Sequence, residues 1–320
     1  MFKRNRTGFT VIIVCIALIL IQAGIAYAEI KDITPEELVQ NHLKALGSPE
    51  QLKAIKSWGI SGKAAVEFIQ GATGSVPDGY FMVVSEGSKV GLRMQFSDIN
   101  YPGEYFAYNG KEVTVGYITP TQRSPVAQFI FLHNSIMKEG FLGGVLTTAW
   151  PLLHIGEEKP RMKLSKASID GQEFYELEYG TPGKRAGNMT VKLYFDENFH
   201  HRRTEYRVRV AEDLTATQGI VSRGGGNMMT APDEPTGRPA DRAPRDTISG
   251  NPADSIYLLI ETFDNFAVVG GEALPQRYNL EYSVQGQAAS FLAKWDVRAE
   301  YYTSNDNTGQ VDPSFFVAQK

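Results

Sequence analysis

The sequence predicts a mainly β (α+β) fold: an antiparallel sheet of about twelve strands that curls strongly or closes, with an apolar helical segment covering its concave face. Three observations carry this expectation. Runs rich in β-branched and aromatic residues recur along the chain with period-two alternation. So many antiparallel strands exceed what a flat open sheet usually carries, so the sheet must curl or close. One long apolar stretch without alternation, 124–150, interrupts the strands and is the natural filling for the hollow side.

Composition agrees with a folded chain. Its 320 residues are 42% hydrophobic and 21% charged, apolar enough to build a core and too polar for a bundle of membrane helices. The formal charge is -4. Lys3, Arg4 and Arg6 are the only charges before Glu29, which leaves 29 basic against 36 acidic groups afterwards. This balance gives no footprint for nucleic acid.

Taken in order, residues 1–28 form a signal peptide: a basic start, an apolar run from Val11 to Ile21, and the ending Ala26-Tyr27-Ala28. Cleavage is expected before Glu29, giving an exported chain; an uncleaved anchor is the alternative, for which the apolar run is short. Cys15 lies within this run and is the only cysteine, so the mature chain has neither a disulfide nor a thiol nucleophile. Thr34-Pro35-Glu36-Glu37 opens a helix as a capping box, Leu38, Val39, His42, Leu43 and Leu46 mark its apolar face, and Gly47 ends it. A second helical turn runs from Pro49 to Ile55.

Strands are expected at 58–69, 80–85, 89–96, 104–108 and 112–118, with Asn109-Gly110 as a hairpin turn. Ser124-Pro125 then caps a helix over Val126 to Lys138 that Gly140 ends, and the apolar, helix-favouring stretch continues through Phe141-Leu142-Gly143-Gly144-Val145-Leu146 to Trp150. Strands resume at 161–169, 173–179, 189–195, 201–210, 256–266, 278–284 and 290–302, with Asp170-Gly171 turning the chain between the first two. Ala293, Trp295, Val297 and Ala299 alternate with Lys294, Asp296, Arg298 and Glu300, so one face is buried and one is wet. Residues 219–255 carry Gly224-Gly225-Gly226 and several prolines with few large apolar groups, and are expected to be a mobile insert in a single domain, 29–320. A linker between two domains is the alternative.

Chemistry is sparse. The histidines His42, His133, His154, His200 and His201 form no helical or strand pair suited to a metal, so neither a metal nor a cofactor is expected. Ser135-Ile136-Met137-Lys138 has a serine-lysine spacing without the accompanying motifs of penicillin-recognising enzymes. No nucleophile elbow or phosphate-binding loop occurs, and spacing alone nominates no acid and base pair, so no catalytic residue is expected. The apolar segment has two readings: packed core, or the wall of a hydrophobic cavity. In the second, Phe129, Leu132, Ile136, Leu142, Leu146 and Trp150 face Leu193, Phe195, Tyr206 and Trp295 of the sheet.

Several short segments resemble the LolA/LolB-like outer-membrane lipoprotein-sorting proteins, the periplasmic lipoprotein-carrier superfamily. They are 38–47, 52–57, Gly59-Ile60-Ser61-Gly62, Tyr101-Pro102-Gly103-Glu104, Asn109-Gly110-Lys111, 140–146 and Leu193-Tyr194-Phe195-Asp196, in that order. The resemblance implies a half-barrel closed by helices over a cavity that shelters acyl chains. It also implies a periplasmic location, an acyl chain, lipid or lipoprotein as ligand, and a delivery partner at the inner or outer membrane. The insert and the larger size depart from the compact carriers. The expected function is therefore a non-enzymatic binder or carrier of acyl chains, lipid or another hydrophobic ligand. A periplasmic hydrolase with carboxylates at the cavity mouth and an outer-membrane β-barrel are the rivals.

Overall fold

A computed structural model of the chain describes residues 31–155, 160–180, 189–210, 255–285, 290–304 and 311–318. The expected signal segment 1–28, and the expected insert apart from Ser255, lie outside these residues. Helix α1 (Pro35–Leu46) begins where the sequence places it, with the Thr34 hydroxyl accepting from the Glu37 amide and the Glu37 carboxylate accepting from the Thr34 amide. Helix α2 (Pro49–Ala54) repeats the device with Ser48 and Gln51.

Among the described residues twelve strands follow, forming one antiparallel sheet. They are β1 (Ser57–Gln70), β2 (Gly74–Glu86), β3 (Lys89–Gln95), β4 (Gly103–Tyr108), β5 (Val113–Val115), β6 (Arg161–Ile169), β7 (Gln172–Gly180), β8 (Met189–Phe195), β9 (His201–Val210), β10 (Ser255–Val269), β11 (Glu272–Gln285) and β12 (Phe291–Ser304). Their spatial order is β5-β4-β3-β2-β1-β12-β11-β10-β9-β8-β7-β6. The sheet is thus two meanders, β1–β5 and β6–β12, joined where the first strand pairs with the last. It remains open, with β5 and β6 as its two edges.

The connection from β5 to β6 spans those edges and carries α3 (Pro125–Leu132), α4 (Ser135–Lys138) and the 3-10 turns Gly144–Leu146 and Pro151–His154. The first helix ends at His133, short of the expected stop at Gly140, and the chain then turns left-handed at Gly140 and Gly143. α3 lies on β4 and β5, while Gly144–Leu146 touches β11, so the segment contacts both meanders and the sheet curls around it. Every residue from Gly140 to Trp150 is buried. A core built from Phe81, Phe106, Trp150, Phe195, Phe263 and Trp295 fills the concave side. The convex side carries most of the charged residues of the strands.

β2 and β11 are longer than their sequence signals. The Val-Pro-Asp-Gly stretch 76–79 reads as a turn but pairs with β1 across a register shift between Ala64 and Val66, and Pro275 sits inside β11 opposite Phe266.

Candidate functional site

Glu104 and Glu261 occupy the inward phase of their strands, where the neighbours of the same phase are Phe106 in one case and Leu259 and Phe263 in the other. A carboxylate there must be hydrogen-bonded. Both are, and both hold the helical connection against the sheet.

Glu104 lines an open cleft of about 420 Å3 between the β1–β2 turn, the 97–102 loop and the start of α3, where Thr73, Ser75, Asp98 and Asn100 add further polar groups. Phe68, Val76, Ile118, Val126, Phe291 and Trp295 supply its apolar wall. The Trp295 indole N–H donates to the Tyr101 hydroxyl at 2.7 Å, and that hydroxyl donates to Glu104 Oε1 at 2.7 Å. The Ser124 hydroxyl donates to Glu104 Oε2 at 2.8 Å while accepting from the Ala127 amide, so the N-cap of α3 is tied to the carboxylate. Burial pushes the Glu104 carboxyl up to about 7, against the downward pull of these two hydroxyls.

Glu261 is sealed within the core. Its oxygens accept from Tyr206 at 2.6 Å, Tyr278 at 2.8 Å and the Gly143 amide at 2.7 Å. Gly143 has φ 83, a left-handed geometry that a side chain would strain, and this turn aims its N–H at the carboxylate. Burial raises this carboxyl to about 7 as well.

A third anchor joins the connection to α1. Trp150 Nε1–H donates to His42 Nε2 at 3.2 Å, and His42 Nδ1–H donates to the Phe199 carbonyl at 2.9 Å, which fixes the tautomer. Burial lowers the His42 pKa to about 4. His201 stacks on Trp150 with ring centroids 4.5 Å apart, and burial lowers its pKa too. These imidazoles are neutral packing groups, and among the described residues no cluster of His, Asp, Glu or Cys could hold a metal ion.

Of the ten residues expected to wall a cavity, Phe129, Ile136, Leu142, Leu146, Trp150, Leu193, Phe195, Tyr206 and Trp295 are each 3% exposed or less and belong to one contiguous core. Trp295 alone among them lines the cleft. Leu132 departs from the expectation: it is 45% exposed, because the turn of α3 that buries Val126, Phe129 and Ile130 carries Leu132 to the outside. Tyr101 and Glu104 stand in the sequence reading only as part of the Tyr101-Pro102-Gly103-Glu104 segment, not as site residues, and Phe291 only as part of an expected strand. Glu104 and Glu261 carried a usable signal, an acid in the apolar phase of an alternating strand.

Among the described residues no helix is long and apolar enough to cross a membrane. No protein family and no curated protein matches the chain. Among solved structures the chain is similar to MucB in complex with MucA(peri), with 10% identity and a TM-score of 0.20, covering 83% of this chain and 94% of that chain. The MucA/MucB complex of Pseudomonas aeruginosa gives the same identity and TM-score, with 82% of this chain and 94% of that chain covered.

Proposed function

We propose that the chain is an exported, non-enzymatic binder of an acyl chain or a similar apolar ligand, taken up at the cleft beside Glu104. The observation that carries this reading is the cleft itself, lined both by the apolar side chains of Phe68, Val76, Val126, Phe291 and Trp295 and by the hydrogen-bonded Tyr101, Glu104 and Ser124. Its volume of about 420 Å3 falls in the range of small-molecule pockets. An apolar tail would lie along the wall with its polar end toward the hydroxyls. About eight sheltered methylenes contribute roughly 6 kcal/mol gross at ~0.8 kcal/mol each. That corresponds to a Kd in the range of tens of micromolar or weaker, and to reversible binding. Export rests on the amino-terminal pattern of residues 1–28.

The hydrolase reading has one feature in its favour, a carboxyl raised to about 7 beside the Ser124 hydroxyl. Against it, that hydroxyl is already committed as donor to Glu104 and as acceptor from the Ala127 amide. The barrel reading requires an apolar outer band, whereas the convex face here carries charged residues and the sheet is open.

The test is titration of lipid-stripped protein with a fluorescent fatty acid. Binding in that range is expected, weakened at least about tenfold by Val76→Arg or Phe291→Arg, which place a charge in a half-buried wall. Leu132→Ala, away from the cleft, should leave it unchanged. A stripped, folded wild-type protein that binds no acyl probe would overturn the reading. Turnover on an ester panel, abolished by Glu104→Gln, would establish the hydrolase instead.

A further inference from the structure

The convex face of the sheet has a regular charge order that fails in one place. Along one row of cross-strand neighbours the register gives Glu178, Lys192, Glu205, Ile260, Glu281, Lys294 and Glu67, so charges of opposite sign face each other wherever two charged residues meet. Lys192 also pairs with Glu176, and Lys294 with Glu281. Opposite charges placed directly across strands support a sheet, and like charges weaken it. A second row, further along the same strands, runs Asp264, Arg277, Arg298, Lys63 and Tyr80. Here three cations sit side by side on β11, β12 and β1.

Asp264 is bonded to Arg202, and Arg277 to Asp296 at 2.8 Å. Arg298 and Lys63, both exposed, have no acidic partner within 4.0 Å among the described residues.

The same row borders an open depression of about 550 Å3. Two backbone irregularities shape it. Between Ala64 and Val66, β2 sets Pro77 and Asp78 against the single residue Ala65, and Asp78 takes φ 59 to do so. On the far side Asn265 has φ 55 opposite Gln276. Non-glycine residues seldom adopt such angles, and two of them line this one hollow. The small side chain of Ala65 leaves the floor open. Asp78 and Asp296 supply acceptors at the sides, so the site combines a cationic row with flanking hydrogen-bond acceptors suited to hydroxyls.

We propose that this depression binds a phosphate group carried on a hydroxylated moiety, with Arg298 and Lys63 as its principal contacts and Arg277 as the third. A guanidinium offers a planar fork that matches two phosphate oxygens, and the lysine adds a point charge from the neighbouring strand. The bound anion would neutralise the repulsion that the register builds into the row. The site lies on the face opposite the core and is independent of the cleft.

Two ligand sources share this chemistry, free phosphate compounds and phospholipid headgroups. The full exported chain would be titrated with inorganic phosphate and with glycerol 3-phosphate, and floated with vesicles of phosphatidylglycerol or of phosphatidylcholine alone, at low salt. Arg298→Thr and Lys63→Thr are the variants, both at exposed strand positions that tolerate threonine. Saturable binding of either soluble compound, weakened at least about tenfold by each variant, supports the site and assigns a soluble ligand. Flotation with phosphatidylglycerol but not phosphatidylcholine, lost in both variants, supports it and assigns a headgroup. A second readout follows from the repulsion: phosphate should raise the melting temperature of the wild type and not that of Arg298→Thr. Absence of binding in all arms, or binding unchanged in both variants, overturns the proposal.

Discussion

Glu104 and Glu261 are chemically alike and differently placed. Each sits on the inward side of a strand, each has its carboxyl raised to about 7 by burial, and each fastens the β5–β6 connection to the sheet. Glu261 receives three hydrogen bonds inside a closed core; Glu104 receives two, at the edge of an open cleft. Glu261 pins a closed core, whereas Glu104 ties the connection down at the rim of an open cleft. Loss of the first strands three buried donors with no route to water, whereas the second borders a space that a ligand can enter.

Glu261→Leu should have the largest effect. It leaves the Tyr206 and Tyr278 hydroxyls and the Gly143 amide without their acceptor. A loss on the order of 4 kcal/mol is expected in urea denaturation. A loss below about 1 kcal/mol would show that the core supplies other partners.

Next in size is the pH response. The folded Glu104 carboxyl, at about 7, lies above its ordinary value of 4.5. Its contribution is therefore fully present below pH 4.5 and is lost as pH rises through 7. Glu104→Gln mimics the protonated acid, so wild type and variant should match near pH 4.5. By pH 8 the variant should be the more stable, on the order of 3 kcal/mol. Denaturation at both pH values checks this, and a gap of the opposite sign would mean that the carboxylate is better paired than its neighbours indicate.

Ser124→Ala removes both an N-cap and a donor to Glu104, and should cost about 1–2 kcal/mol. On the convex face, Lys294→Ala removes an exposed ion pair with Glu281 and should cost less than about 0.5 kcal/mol in the same assay.

The strands were legible because alternation reports which face is buried, and a one-sided sheet writes that pattern into every strand. Capping was legible for a similar reason: Thr34-Pro35 and Ser124-Pro125 name their helix starts locally. The course of 76–79 was not, since Pro77 and Gly79 carry turn chemistry that the pairing with β1 overrides. The break of the connection at His133 was hidden by its uniform apolarity, which fixes burial without fixing a period. Of the residues expected to wall a cavity, Trp295 alone lines the cleft. The rest of the cleft converges from β1, β2, β4, β12 and α3, and spacing along the chain carries no information about that meeting.

The pairing of β1 with β12 has a consequence for how the chain reaches its final form. Within each meander most neighbours are joined by short turns, so those pairings are local and quick to form. The seam between the meanders brings Trp58 to Ser304, a separation of 246 residues (304 − 58). Long-range pairing of this kind is slow, because chain entropy is lost before the contacts compensate for it. Until Phe291–Ser304 arrives, one whole side of β1 has no strand beside it. That exposed edge is a template for pairing with other chains. The most vulnerable moment of this protein is thus the interval before its last long strand is in place.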